Sequence, residues 1–586
     1  MISAINKLLP KRRSSRIYLL IAAVCLLIIA TFVTIQALNR EIVVPTTAKI
    51  IKEIKAQSTL LDGQWSYMPG ATRQDDGLHI VSTGLAIVEQ DGSGGQANPP
   101  INLYGSHLEN AENFVVGATI KNLKGNASLQ LYGEVPIIAD EFRIERKSVR
   151  ITLGDGNFQA MLWDGSNQKP VLTQSWKYSQ ADSYAVSIRN QAGKLAFSIN
   201  GHYLGTVDGH DIFRSKTVWM GMDANQSWLL SALTAKPLDG GKLQIVDSSS
   251  MAVPPKSDGL QQLLIKKRNG LTIGAAMALG PLVSDPAYAG VALSGNFGSL
   301  TTENALKWQF VHPQENLYTF QEGDALVALA RKHNMKVHGH ALVFGEANPG
   351  WVNNLPTATQ TDRDRVKQIM LDHITKVAGH YKGKVATWDV VNEPLADYDN
   401  FDSEDGRILR SHKWYQAMGQ DYIAQAFQAA HAADPDAKLF MNEYGLEEDG
   451  DRWDAFYALV SKLKSQGVPI NGVGFQSHVY ESGDRINGSV LKRHMQQLAN
   501  IGVESRVSEN DVYSDQGQAV QASQYGEVFS ACLSQPSCIS YTTWGVSDRY
   551  NTFRDDDGSI QYGEDFLWSD TMAPTPAVTK LQSLLN

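Results

Sequence analysis

Cysteine is almost missing from this chain of 586 residues, which has only Cys25, Cys532 and Cys538. That excludes a scaffold built on disulfides. Cys25 falls inside an apolar run, where it behaves as a small hydrophobe. Cys532 and Cys538 are close enough to staple a short loop in an oxidising compartment, or to sit as two core thiols; their spacing leaves both open. An excess of positive charge is also missing. Lys and Arg number 52 against 61 Asp and Glu, a net charge of −9, and no basic stripe runs along the chain. Nucleic acid is therefore excluded as a partner. No internal repeat is present, which argues against a solenoid. With 19% charged and 9% aromatic residues the composition is globular, and the length calls for two to four domains. No cofactor or metal is expected.

One long apolar run is present. Ile17 to Leu38 covers 22 residues with Gln36 as its only strongly polar side chain, preceded by Lys7, Lys11, Arg12, Arg13 and Arg16. About 20 apolar residues cross a bilayer core, whereas a cleavable signal usually has an apolar run of roughly 7–15 residues and ends in small ones. Ile35-Gln36-Ala37 is a poor cleavage site. The expectation is a single transmembrane anchor over 17–38, with a cytoplasmic basic tail at 1–16 and everything after it extracytoplasmic (periplasmic or cell surface). Residues 39–58 read as a stalk.

Residues 59–237 show no helical periodicity. Short alternating runs recur at Phe114–Ile120, Ser128–Tyr132, Val149–Leu153, Phe158–Trp163 and Val218–Met222. Asn200-Gly201 separates Leu195–Ile199 from Tyr203–Val207, a strong hairpin signal because both turn positions accept positive φ. This predicts an all-β sandwich, and the stretch from Leu195 to Ala224 resembles the concanavalin-like jelly rolls. Such a domain serves as a glycan-binding module or as a spacer. Residues 238–259, with Ser248 to Ser250 and Pro254-Pro255, read as a linker. From 260 to 586 strand-like runs alternate with helical ones. Eight strands are expected at 272–275, 297–300, 336–343, 386–391, 438–441, 472–477, 505–508 and 539–543, which suits an α/β (β/α)₈ TIM barrel.

Catalytic residues of such barrels stand just past the C-terminal ends of strands. There the sequence gathers Glu303, Asn304 and Lys307 after the second strand, His340 after the third, and Asn392-Glu393 after the fourth. Asn442-Glu443-Tyr444 follows the fifth strand, Gln476 and His478 the sixth, Glu509 and Asp511 the seventh, and Trp544 the eighth. Most of the 61 acidic residues are solvated surface groups. A Glu that ends a buried apolar strand differs, because burial raises a carboxyl pKa unless something compensates. Two such carboxyls, Glu393 and Glu509, are what glycoside hydrolysis needs. One protonates the leaving oxygen, and the other either attacks the anomeric carbon or activates water.

Taken in order, "TTENALKWQFVHP", "VHGHALV", "WDVVNEP", "GVGFQSHV", "VSEND" and "YTTWGVSDRY" resemble the glycoside hydrolase family 10 endo-β-1,4-xylanases over roughly residues 260–585. The resemblance implies retention by double displacement, with Glu393 as acid/base and Glu509 as nucleophile. Asn392 would bond the sugar 2-hydroxyl, and His478 and Asp511 would orient Glu509. Glu303, Asn304, Lys307, His340 and Gln476 would line the glycone subsites, with Trp544 as an apolar platform. It also implies a Cys532–Cys538 disulfide.

The chain departs from that pattern at Phe344, Gly345 and Ala347, where the family has Trp, His and Gln, and at Thr552, where a second Trp would fall. These losses strip sugar-binding groups from the glycone side, so altered specificity or modest activity on plain xylan is expected. The leading expectation is a membrane-anchored hydrolase of exported or cell-surface polysaccharide. A retired barrel acting as a polysaccharide-binding scaffold, or a β-1,4-glucanase or mannanase, are the alternatives.

Overall fold

The computed structural model describes residues 71–245, short connecting stretches aside, and residues 253–586 apart from 480–484, 515 and 551–564. The apolar run 17–38, its flanks and Thr552 lie outside the described residues. Among the described residues no helix is long and apolar enough to cross a membrane.

Residues 71–245 contain two seven-stranded sheets with antiparallel neighbours. One includes Phe114–Lys124, Ser183–Gln191 and Lys194–Ile199; the other includes Asn126–Tyr132, Ser148–Gly154 and Asn157–Trp163. Alternation explains how they meet. Phe114, Val116, Ala118 and Ile120 from the first sheet join Leu129, Leu131, Val149, Ile151 and Leu153 from the second in one buried cluster. Each fully buried side chain of this size contributes roughly 1.5–3 kcal/mol. Asn200 and Gly201 take φ of 50° and 83° and close the hairpin between Lys194–Ile199 and His202–Asp208. Trp228 is part of this core.

The second unit is a closed parallel barrel. Its strands are β1 (Thr272–Ala276), β2 (Ser299–Thr301), β3 (Lys336–Gly339), β4 (Thr387–Asn392), β5 (Lys438–Glu443), β6 (Gly472–Phe475), β7 (Glu504–Val512) and β8 (Cys538–Thr543). They pair in sequence order; β8 returns to β1, and β6 pairs with β7 to complete the circle. The third strand is shorter than its apolar run suggests. Regular pairing stops at Gly339, and a single bridge from Val343 to Val391 resumes it. Gly339 is required by packing, since a Cβ there would lie 2.2 Å from the buried Trp388 ring. The helices bury one face against the strands. In Gln360–His380, capped by Thr359 and Asp362, Val366, Met370, Ile374 and Val377 fall on helical spacing and are buried.

The turn into β8 is closed by a disulfide and tied across the barrel seam by an arginine. Cys532 and Cys538 form a disulfide. Arg268, one residue past the helix Leu260–Lys267, donates to the carbonyls of Cys532 (2.8 Å), Leu533 (2.9 Å), Pro536 (3.0 Å) and Cys538 (2.8 Å).

Candidate active site

A cleft of about 830 Å³ opens at the C-terminal ends of the strands. Glu393, one residue past β4, and Glu509, near the end of β7, both line it. Glu393 takes a φ of 49° in the sparsely populated left-handed region and is held there by its N–H, which donates to the Asn442 carbonyl at 2.8 Å. A chain of amides joins the two carboxyls. Asn442 donates to Glu509 Oε1 at 2.5 Å and to Asn392 Oδ1 at 2.8 Å, and Asn392 donates to Glu393 Oε1 at 3.3 Å. Ser508 donates to Asn442 Oδ1 at 2.6 Å, which fixes the orientation of that amide.

The surroundings of the two carboxyls differ in kind. His478 reaches Glu509 Oε2 at 3.4 Å through Nε2 and Asp511 Oδ1 at 2.7 Å through Nδ1. Burial would lower the pKa of this imidazole, but Asp511 and Glu509 push it up to about 10, so both ring nitrogens donate. Glu393 moves the other way. Burial and then the charge of Glu346 push its carboxyl up to about 7, against Arg410 and a 3.0 Å hydrogen bond from Gln476. Both carboxyls face donors, so what separates them is the charge alongside, a second carboxyl for Glu393 and the His478 cation for Glu509, an arrangement suited to acid and nucleophile roles.

The sequence model of Glycosyl hydrolase family 10 matches residues 261–584, more than half of the chain. The chain belongs to that family. Among its curated relatives, a β-1,4-xylanase of Dictyoglomus thermophilum is 39% identical over 273 residues, 44% of this chain and 73% of that protein. Endo-1,4-β-xylanase B of Thermotoga neapolitana is 32% identical over 297 residues, 50% of this chain and 81% of that one. Among solved structures, native xylanase 10B from Thermotoga maritima aligns with a TM-score of 0.50 at 30% identity, covering 56% of this chain and 98% of that one. The protein is a glycosidase resembling endo-1,4-β-xylanases.

In this family 10 enzyme Lys307, His340, Asn392, Gln476, His478 and Trp544 also line the cleft. Lys307 Nζ lies 5.9 Å from the Trp544 ring centre, and His340 meets the same ring edge-on at 5.1 Å. Asp511 stands behind His478 and does not line the cleft. Glu303 and Asn304 follow β2 but are not among the cleft-lining residues; the charge of Glu303 is felt by the Tyr288 phenol. Gln476, expected on the glycone side, donates to Glu393. Phe344 and Ala347 line the cleft where the family pattern has Trp and Gln. Among the described residues no group of His, Cys, Asp and Glu could hold a metal ion.

Several contributors lie outside the predicted set of site residues. Asp389 bonds His338 Nε2 at 2.7 Å and His340 Nδ1 at 2.9 Å; against the upward push of burial, the two imidazoles and Arg506 hold its carboxyl well below the usual range. With Nδ1 spoken for, His340 has Nε2 as the ring nitrogen left for a ligand. Arg410, from the loop after β4, donates to Glu393 Oε2 at 3.2 Å and Asp397 Oδ1 at 2.6 Å, and contacts Glu346. Gly345 makes this possible, because a Cβ there would lie 2.8 Å from His412 and 3.1 Å from Arg410.

Proposed function

We propose that this protein is a retaining endo-hydrolase of β-1,4-linked polysaccharide, with Glu393 as acid/base, Glu509 as nucleophile and a xylan-type backbone as first candidate substrate. The observation that carries the reading is the pair of carboxyls in one cleft, one raised to about 7 and the other given donors by Asn442 and His478. Glu393 protonates the glycosidic oxygen as Glu509 attacks the anomeric carbon. Glu393, now ionised, then takes a proton from the water that releases the sugar. Asn392 is the donor for the sugar 2-hydroxyl. Relatives named as xylanases support xylan, whereas Phe344, Gly345 and Ala347 favour a backbone that differs from plain xylan near the glycone. That second point also supports the alternative of a weakly active, polysaccharide-binding barrel.

The anchor belongs to the same proposal. Residues 17–38 would hold the enzyme at a membrane with the barrel on the extracytoplasmic side, and a disulfide at Cys532–Cys538 suits an oxidising compartment. The N-terminal β unit, jelly-roll-like by resemblance, would bind glycan or space the barrel from the bilayer. Incubating the full chain in detergent with xylan, glucan and mannan, alongside Glu509→Gln, tests the catalytic reading. Wild type should release oligosaccharides with the anomeric configuration of the substrate. Identical products from wild type and variant on every polymer would overturn it. Recovery of the chain in the soluble fraction after lysis without detergent would overturn the anchor.

A further inference from the structure

A line across the barrel mouth from β4 to β7, through Glu393 and Glu509, leaves β5 and β6 on one side and β8, β1, β2 and β3 on the other. Lys307, His340 and Trp544, three of the groups that resemblance gives to the glycone, come from the second side, whereas Gln476 follows β6 and donates to Glu393. The leaving-group side is the one over β5 and β6. There Tyr398, from the loop after β4, lines the cleft with 64% of its surface exposed, more than any other large apolar side chain among the described residues.

An exposed ring is normally mobile, but this one is fixed on three counts. Its ring meets Tyr444 edge-on at 5.7 Å. The Arg452 guanidinium lies 4.9 Å from the Tyr398 ring centre and 4.4 Å from that of Tyr444. Arg452 is itself immobilised by the Ala396 carbonyl at 2.6 Å, Glu443 at 2.9 Å and the Tyr444 carbonyl at 3.1 Å. Finally, the Tyr398 hydroxyl lies over Gly445, where a Cβ would approach it to 2.0 Å. Gly445 has a φ of 66°, so both the backbone and the space exclude a side chain. A rigid, open aromatic face loses little entropy on binding, and it covers the apolar face of a pyranose. Asp397, Glu447 and Glu448, which line the same side of the cleft, supply acceptors for sugar hydroxyls.

We propose that Tyr398, braced by Arg452 and Tyr444 and seated over Gly445, is the platform of a leaving-group-side subsite that binds a pyranose of a β-1,4-linked chain beyond the scissile bond. The proposal rests on the catalytic reading of Glu393 and Glu509. It gives the enzyme binding surface on the leaving-group side where the glycone side has lost the family's Trp, His and Gln.

The test compares the full chain with Tyr398→Ala and Tyr398→Phe on β-1,4-xylohexaose labelled at its reducing end and on an aryl β-xylobioside, whose leaving group stops short of the subsite. In Tyr398→Ala the ratio of kcat/KM on the hexaose to that on the aryl glycoside should fall about tenfold, the scale of one lost stacking contact. The bonds cut in the hexaose should shift toward its reducing end. Tyr398→Phe, which keeps the ring, should match wild type in both. An unchanged ratio and cleavage pattern in Tyr398→Ala would overturn the subsite, and so would an equal fall on both substrates, the mark of a merely structural residue. A folded wild type inactive on both substrates would overturn the xylan-type backbone and this subsite with it, while the catalytic pair is judged by the panel of xylan, glucan and mannan.

Discussion

Glu393 and Glu509 are the same side chain in the same cleft and both accept hydrogen bonds, but the charges beside them differ. Glu509 is met by donors: the Asn442 amide and a His478 whose proton is secured by Asp511. Glu393 is met mainly by burial and by a second carboxyl, Glu346, with Arg410 divided among Glu393, Glu346 and Asp397. One cation serving three carboxylates neutralises each of them only in part. The difference teaches that neighbouring charge is what separates the acid and nucleophile roles proposed for two carboxyls that the amide chain through Asn442 and Asn392 fixes to one frame.

The comparison can be broken by kinetics. The largest effect is expected from Glu509→Gln, which should lower kcat on the best polysaccharide by on the order of 10⁴-fold, whatever the leaving group. Glu393→Gln should cost about 10²–10⁴-fold on polysaccharide, and a nitrophenyl leaving group, which needs little protonation, should restore most of the first step. If both variants respond alike to leaving-group acidity, the roles are not separated as drawn.

Smaller effects sharpen the picture. Because Glu393 must carry its proton, kcat/KM should fall as pH rises through about 7. Glu346 raises the Glu393 pKa, so Glu346→Gln should move that alkaline limb to lower pH. Arg410 lowers it, so Arg410→Met should move the limb to higher pH by a smaller step. A pH–rate profile of each variant checks the sign, and two shifts in the same direction would show that Arg410 acts on something other than the charge of Glu393.

The barrel strands were legible because most are built on a short apolar run bounded by turn residues, and a parallel barrel buries such runs on both faces. The length of the third was not, since the run from Lys336 to Val343 reads as one strand while the backbone leaves the sheet after Gly339. Glu393, Glu509 and His478 were legible because they end such runs. Arg410 was not: it lies in a loop without periodicity, 64 residues from Glu346, and its place depends on the side chain that Gly345 lacks. Tyr398 was invisible for a related reason. Its support, Arg452, sits on the helix Asp451–Ser465 and reaches back to the Ala396 carbonyl 56 residues earlier.

Arg268 bears on how the barrel is made. It leaves the ribosome 264 residues ahead of Cys532, the first of the four residues whose carbonyls it will bind. Until the end of the helix Gln518–Ser534 and the turn into β8 have been synthesised, the protein offers that guanidinium none of those acceptors. The charge made first is answered only by the segment that leads into the last strand, so the seam between β1 and β8 cannot close on a chain that stops short of it.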